Sequence, residues 1–160
     1  MFSIEDIING LQNEAKEIDY ELKITLPKEI GAAIEQGDLS ENAEYESAKE
    51  RQSTLMGRLA QIQQRIDDLA SIDMTTIPRD RVSIGSTVYV TELISLESKR
   101  FIIVPHEAMD GKPEHISARS PIARNLIGSY PGDEVFVQIP KGELEYRVDK
   151  IITYFGEVIE

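Results

Sequence analysis

Two carboxylates spaced three residues apart, Asp38 and Glu41, stand in the segment Gly37-Asp38-Leu39-Ser40-Glu41-Asn42-Ala43-Glu44-Tyr45. Residues three apart on a helix share a face, so this pair can offer oxygen ligands to a hard divalent cation such as Mg²⁺. The same spacing also fits a capping box, and acids in a first helical turn are stabilised by the helix dipole by ~0.3–1 kcal/mol each. Two carboxylates hold Mg²⁺ poorly alone, because the ion keeps its waters and draws further ligands from phosphates or other groups. Any metal site built on this pair is half a site. Its other half would lie in a partner. Ligation needs ionised carboxylates, and ordinary Asp and Glu are ionised at neutral pH. Glu44 lies on the same face, while Asn42 and Tyr45 are expected to shape the turn.

The elements that must carry this pair are legible from apolar spacing. Ile4, Ile8, Leu11, Ala15, Ile18 and Leu22 follow steps of 4, 3, 4, 3 and 4, which lay one seam along a helix. Tyr45, Ala48, Gln52, Leu55, Leu59, Ile62, Ile66 and Leu69 repeat the alternation with one polar interruption, Gln52. Pro27 and the Gly37-Asp38 step are the strong breakers between the two runs, so the helices should fold back as an antiparallel hairpin with its tip near residues 36–41. From Glu41 to Leu69 such a helix extends roughly 40 Å, more than a chain of this size needs to bury its own core. The hairpin reads as a device for reaching. Pro27 either kinks the first arm or restarts it as a first helical residue.

Near Thr76-Ile77-Pro78-Arg79-Asp80 the period changes to two. Val82 and Ile84, Thr87–Val90, Phe101–Val104, and Val135, Val137 and Ile139 facing Leu144, Tyr146 and Val148 read as strands, the last pair a hairpin across Pro140-Lys141-Gly142. Ser120-Pro121-Ile122-Ala123-Arg124-Asn125-Leu126-Ile127-Gly128 reads as a short helix with Ser as cap, Pro first and Gly beyond the end. The expected class is α+β: a coiled-coil hairpin over residues 1–76, then a small, mostly antiparallel β domain over 77–160.

Composition narrows the function. The 160 residues carry a net charge of −12, with 7 basic and 16 acidic residues in the first 75 and 10 and 13 in the remainder. An acidic chain does not bind nucleic acid autonomously through phosphates, so a large partner or a metal ion suits it better. With no cysteine there is neither disulfide nor thiolate site. No signal peptide or apolar run of membrane length is apparent, and the cytoplasm is the expected compartment. His106 and His115 read as isolated surface or loop residues. No Ser-His-Asp set or phosphate-binding Gly-rich loop occurs, so an independent enzyme is not expected.

The segment from Gly37 to Tyr45 resembles the tip motif of the bacterial Gre transcript-cleavage factors, Gly-Asp-Leu-x-Glu-Asn-Ala-Glu-Tyr. Ser120-Pro121-Ile122-Ala123-Arg124 followed by Leu126-Ile127-Gly128 resembles a second signature of that family. The likeness extends over nearly the whole chain, including Gly85-Ser86-Thr87-Val88 and Gly142-Glu143-Leu144-Glu145-Tyr146. It implies a coiled coil that enters the secondary channel of bacterial RNA polymerase and a C-terminal domain of FKBP-like fold that docks at the channel mouth through Ser120, Pro121, Ile122 and Arg124. It also implies that Asp38 and Glu41 help hold the second Mg²⁺ of the polymerase site and position a water for hydrolysis of the backtracked RNA 3′ end. The ion is then held jointly with the polymerase, which does the cutting.

In the family a basic patch beside the tip faces the RNA; here only Lys49, Arg51 and Arg58 could form it. From Pro27 to the tip the first arm is about one helical turn shorter than the family pattern, which bears on reach. Two other functions compete: a modulator that occupies the same channel without cleavage, and a structural coiled-coil adaptor. An occluder needs no metal ligands, so retention of both acids disfavours the first. A hairpin satisfies its own seam, which makes a monomer the expected state and disfavours the second.

Overall fold

The computed structural model describes residues 2–35 and 42–160, and divides into two compact units, Ser3–Ile72 and Phe2 with Asp73–Glu160. In the first unit, α1 (Ile4–Tyr20) leads through a π-helical turn (Glu21–Thr25) into α2 (Leu26–Glu35), and α3 (Ala43–Ala70) packs against all three. The second unit contains β1 (Thr87–Glu92), β2 (Ser98–Val104), β3 (His115–Ser117), the short helix α4 (Pro121–Leu126), β4 (Glu134–Ile139), β5 (Gly142–Ile152) and β6 (Val158–Ile159). The α+β class expected from the two periodicities is what the structure has. No helix among the described residues is long and apolar enough to cross a membrane.

The seam of the hairpin follows the heptads. On α3 one residue in every seven is fully enclosed: Ala48, Leu55, Ile62 and Leu69. Tyr45, Gln52, Leu59 and Ile66, the alternate positions, are half-buried, so the polar interruption at Gln52 falls where water reaches. On the first arm Ile18, Leu26 and Ala33 are buried, with Leu11, Ala15, Leu22 and Ile30 packed around them.

Pro27 neither ends the first arm nor restarts it after a break. The residues flanking the π turn, Tyr20 and Leu26, both keep right-handed helical backbone, and the Leu26 amide reaches back five residues to the Glu21 carbonyl. A proline inside a regular helix has no amide to donate and its ring collides with the carbonyl four residues earlier. A widened turn just before it moves that carbonyl away. The same turn solves a register problem, because the seam positions Ile18, Leu22, Leu26 and Ile30 are spaced 4, 4 and 4 and would drift off the contact face of a regular helix. The extra residue taken up by the π turn keeps Leu26 at 0% exposure against α3. Truncation of Leu26 to alanine is expected to destabilise the hairpin by about 2–5 kcal/mol, read from the helical circular-dichroism melt. A melt unchanged by this substitution would show that the π turn does not serve the seam.

The sheet has strand order β3-β2-β1-β5-β4, with β6 pairing β5; all pairs are antiparallel except β2 with β3. Val82 and Ile84, expected in a strand, lie in a loop instead. There the Val82 amide donates to Ser129 O and its carbonyl accepts from Gly128 N, so Val82 is buried outside the ladder, with Ser83 buried next to it and Ile84 only half-buried. β3 and β6 are 3 and 2 residues long, too short to carry a periodic signal.

The core of the unit gathers Val88, Val90, Phe101, Ile103, Val135, Val137, Tyr146, Val148 and Ile151 from the sheet with Ala123 and Leu126 from α4. Phe101 and Tyr146 meet edge to face at 5.7 Å between ring centroids, a favourable aromatic geometry.

Between β1 and β5 the register slips, Tyr89 pairing Lys150 and Val90 pairing Val148, which leaves Asp149 as the extra residue of a bulge. The Thr91 hydroxyl donates to Asp149 Oδ2 at 2.6 Å and Arg147 Nε donates to Oδ1 at 2.8 Å. Partial burial pushes this carboxyl up, but the Thr91 and Arg147 hydrogen bonds outweigh it and hold the carboxyl below its ordinary value. A depressed native pKa gives stability that is complete above the unfolded value, about 3.9, and is lost as the pH falls through the native one. The acid side of the stability profile should therefore lose part of its slope below about pH 4 in Asp149→Asn, as acid titration of the sheet's near-ultraviolet dichroism would reveal.

Candidate functional site at the hairpin tip

The first arm ends at Glu35 and the second helix begins at Ala43 with Asn42 as its cap. Asp38 and Glu41, the pair singled out for metal ligation, lie outside the described residues, on the connection between these two ends. The capping role that spacing alone allows Asp38 at the start of this helix belongs to Asn42, whose Oδ1 accepts from Tyr45 N at 3.1 Å. Asn42 also donates from Nδ2 to Ala33 O at 2.7 Å, linking the two arms at the base of the connection. Glu44 is exposed in the first turn of α3, where a carboxylate complements the helix dipole, and Tyr45 is half-buried at the start of the seam.

The three candidate basic residues are exposed on α3 but differ in what they touch. Arg51 forms a two-pronged pair with Glu21, Nε to Oε1 at 2.6 Å and an Nη2 contact to Oε2 at 3.2 Å. Arg58 does the same with Glu14 at 3.0 and 3.2 Å. Both pairs bridge the arms, and the Glu21 hydrogen bond together with its charge holds the Arg51 guanidinium above its ordinary pKa. Lys49 donates to Gln52 on its own helix. Two of the three cations are thus already matched by carboxylates of the first arm, which lowers the positive potential they present to a polyanion. These cross-arm partners were not singled out in the sequence. Their signal was Glu14 and Glu21, seven apart and flanking the seam, as charged residues of a coiled coil do.

In the second unit Ser120 Oγ accepts from Ala123 N at 3.2 Å, and Pro121 occupies the first turn of α4. Ile122 packs against the sheet's core, and Arg124 is exposed beside Pro121. The structure therefore places the four candidate docking residues on one short helix whose cap and proline have a local structural purpose. His106 is exposed, as expected, but His115 is not isolated: its Nδ1 is buried 2.9 Å from Asp110 Oδ1. The five-residue separation, from a loop residue to the first residue of β3, gave no periodic cue to that pairing. Among the described residues no three His, Cys, Asp or Glu side chains gather as a metal site.

Two family models divide the chain between them. One, described as "Transcription elongation factor, N-terminal", matches residues 6–70, and the other, "Transcription elongation factor, GreA/GreB, C-term", matches residues 77–153. The chain belongs to the GreA/GreB family of transcription elongation factors. It is 38% identical over 154 residues to transcription elongation factor GreA of Nitratidesulfovibrio vulgaris, covering 94% of each chain. To GreA of an Anaeromyxobacter species it is 41% identical over 141 residues, 88% of this chain and 85% of that one. A solved structure, the prokaryotic transcription elongation factor GreA/GreB from Nitrosomonas europaea, aligns with 56% of this chain and 79% of its own at 31% identity and a TM-score of 0.43. As a Gre-family elongation factor, the chain carries the tip segment and the α4 segment inside the two matched regions.

Proposed function

We propose that this Gre-family factor stimulates cleavage of the 3′ end of backtracked nascent RNA by RNA polymerase, with the hairpin in the polymerase's secondary channel and the α4 domain at its rim. Membership of the family supports the transcriptional role. The observation that carries the cleavage reading is that Asp38 and Glu41 fall, in sequence, between the end of α2 at Glu35 and the start of α3 at Ala43, a helix of 28 residues and so about 42 Å long. Both acids belong in sequence to the unit Ser3–Ile72 and not to the one that holds the sheet.

The donor chemistry fits Mg²⁺. Asp38 and Glu41 supply hard oxygen ligands, and with at most two such donors they complete a site whose remaining ligands belong to the polymerase and the RNA. An Mg²⁺ held by Asp38 and Glu41 together with the partner would supply charge stabilisation for phosphodiester hydrolysis. Asp38 and Glu41 supply charge and orientation, and the factor is no hydrolase by itself. The pairing of Arg51 and Arg58 with Glu21 and Glu14 leaves Lys49 as the least compensated of the three candidate cations, and Arg58 lies 15 residues into α3, which fits release of short fragments better than retention of a long RNA tail.

The test is to halt bacterial RNA polymerase in a backtracked complex with end-labelled RNA and add this protein with Mg²⁺. Prompt release of 3′ fragments followed by renewed elongation supports the reading. Binding without fragments, together with slowed elongation, would replace it with the non-cleaving modulator.

A further inference from the structure

Docking needs side chains that are free to touch a partner, and much of the segment around α4 is engaged within the fold. The Ser120 hydroxyl is taken up by the Ala123 amide, and Ile122 packs on the sheet core. Ala123 and Leu126, three apart and both at 0% exposure, mark the inner face of the helix. Arg124 is exposed, and beyond the helix Ile127 and Tyr130 keep 40% and 44% exposure.

Tyr130 is exposed but not loose. Gly128 N donates to Val82 O at 2.8 Å and Val82 N donates to Ser129 O at 2.9 Å, so the chain at Val82 runs beside Gly128 and Ser129. Next to that contact Arg81 Nη1 donates to Tyr130 Oη at 3.0 Å, while the Tyr130 amide donates to Asp133 Oδ2 at 2.9 Å. A large side chain ordered before contact loses little freedom on binding, and tyrosine beside arginine is the composition that carries most affinity at protein interfaces.

The charge here runs against the rest of the chain, whose net charge is −12. In the sheet unit Arg79, Arg100 and Arg147 are matched by Glu157, Glu114 and Asp149. Among the described residues Arg119 and Arg124 have no carboxylate in ion-pair range, and Arg81 has only Asp80, at 3.6 Å. Unmatched guanidinium groups around an isoleucine and a tyrosine fit carboxylates set around an apolar contact. Phosphates are the poorer fit, because a few arginines do not offset the repulsion between a polyanion and a chain of this charge.

We propose that Tyr130 and Ile127, flanked by Arg81 and Arg124, dock an acidic protein segment with an apolar centre. This rests on the reading above for the identity of the partner, RNA polymerase, and does not require cleavage. Neither Arg81 nor Tyr130 was singled out in the sequence.

The experiment uses the full chain and two kinds of probe. With RNA polymerase, displacement of labelled parent protein gives the affinity at about 50 mM and about 300 mM salt. Tyr130→Ala should weaken binding roughly thirtyfold and Arg124→Glu at least about tenfold, and affinity should fall less with salt in Arg124→Glu than in the parent. Phe136→Ala removes a ring of 51% exposure from the sheet face opposite the core and α4, and should stay within about twofold of the parent. Near-ultraviolet dichroism identifies any variant that fails to fold; Arg124 is exposed and unpaired, so its variant tests the surface even where Tyr130→Ala unfolds. In the second arm, amide shifts of the free ¹⁵N-labelled chain are followed on adding a peptide of alternating glutamate and leucine, and separately a single-stranded oligonucleotide of equal charge. The peptide should shift amides at Arg81 and from Arg119 to Tyr130, and the oligonucleotide should not.

Parent-like polymerase affinity in folded Tyr130→Ala and Arg124→Glu would overturn the proposal. Shifts produced by the oligonucleotide alone would overturn it too, by making the surface a phosphate site. If the parent does not bind polymerase, the polymerase reading fails and the peptide arm still decides: shifts at these residues keep the acidic docking surface, and their absence removes it.

Discussion

Replacing Asp38 or Glu41 with alanine should reduce stimulated fragment release by about a hundredfold or more, the scale on which loss of a preorganised electrostatic contribution lowers catalysis. Polymerase binding, read by displacement of labelled parent protein, should change little. Each acid falls in sequence between α2 and α3, and the described core of the hairpin is built from residues of the helices and of the π turn that joins α1 to α2. The double variant should fall no further than the weaker single variant by any large factor, because two ligands of one ion act as a unit and their losses do not add. Retention of stimulation by either single variant would restrict the metal-assisting role to the other acid.

The second large effect concerns the sheet. Gly85 has φ +83°, a left-handed conformation, and a Cβ placed there would lie 2.5 Å from Tyr154 Cδ2 and 3.0 Å from Tyr154 Cβ. Tyr154 is not free to yield: its ring lies 5.6 Å from Phe2 and 5.5 Å from Phe155 between centroids, and Phe155 is covered by the Arg79 guanidinium at 3.8 Å. The Gly85 amide meanwhile donates to Ile103 O at 2.8 Å, fixing the backbone to the core strand β2. Gly85→Ala should therefore cost about 1–2 kcal/mol for the backbone conformation and about 1–3 kcal/mol for the collision. Urea unfolding followed by near-ultraviolet dichroism should show the loss in the sheet domain, with the helical signal of the hairpin retained at concentrations that unfold the variant's sheet. Parent-like unfolding would mean that the aromatic group repacks without cost.

The heptads on α3 were legible because each seam residue keeps strict 3–4 spacing over four heptads, and the structure encloses the residue at every seventh position. The first arm was harder to read at Pro27. Its two sequence alternatives, kink or restart, both presumed a regular helix, whereas the three successive steps of four from Ile18 to Ile30 already called for a wider turn. Ser120 and Pro121 announced α4 because cap and first-turn residues act locally. Val82 and Ile84 misled because two apolar residues in alternation need not share a face: in a loop hydrogen-bonded to Ser129 and Gly128, Val82 and the intervening Ser83 are both buried and Ile84 is half-buried.

At the tip the sequence supplied the acidic pair by motif and spacing but assigned no specific contact to Asn42, since a bond from position 42 back to position 33 depends on how the two arms approach. The cross-arm pairs Arg51–Glu21 and Arg58–Glu14 were hidden for the same reason. Both join residues 30 or more positions apart, and nothing in local periodicity fixes the mutual register of two antiparallel helices.

The central claim is that the factor contributes carboxylate ligands to an ion of its partner's active site. The most direct measurement is the Mg²⁺ dependence of fragment release from one backtracked complex, with the parent protein and with the near-isosteric double variant Asp38→Asn/Glu41→Gln. The account predicts that the parent lowers the Mg²⁺ concentration needed for half-maximal release relative to polymerase alone and that the double variant, bound to the same extent, leaves it at the polymerase's own value. An equal lowering by parent and variant would contradict it, because the effect would then come from occupancy of the channel and not from the two acids.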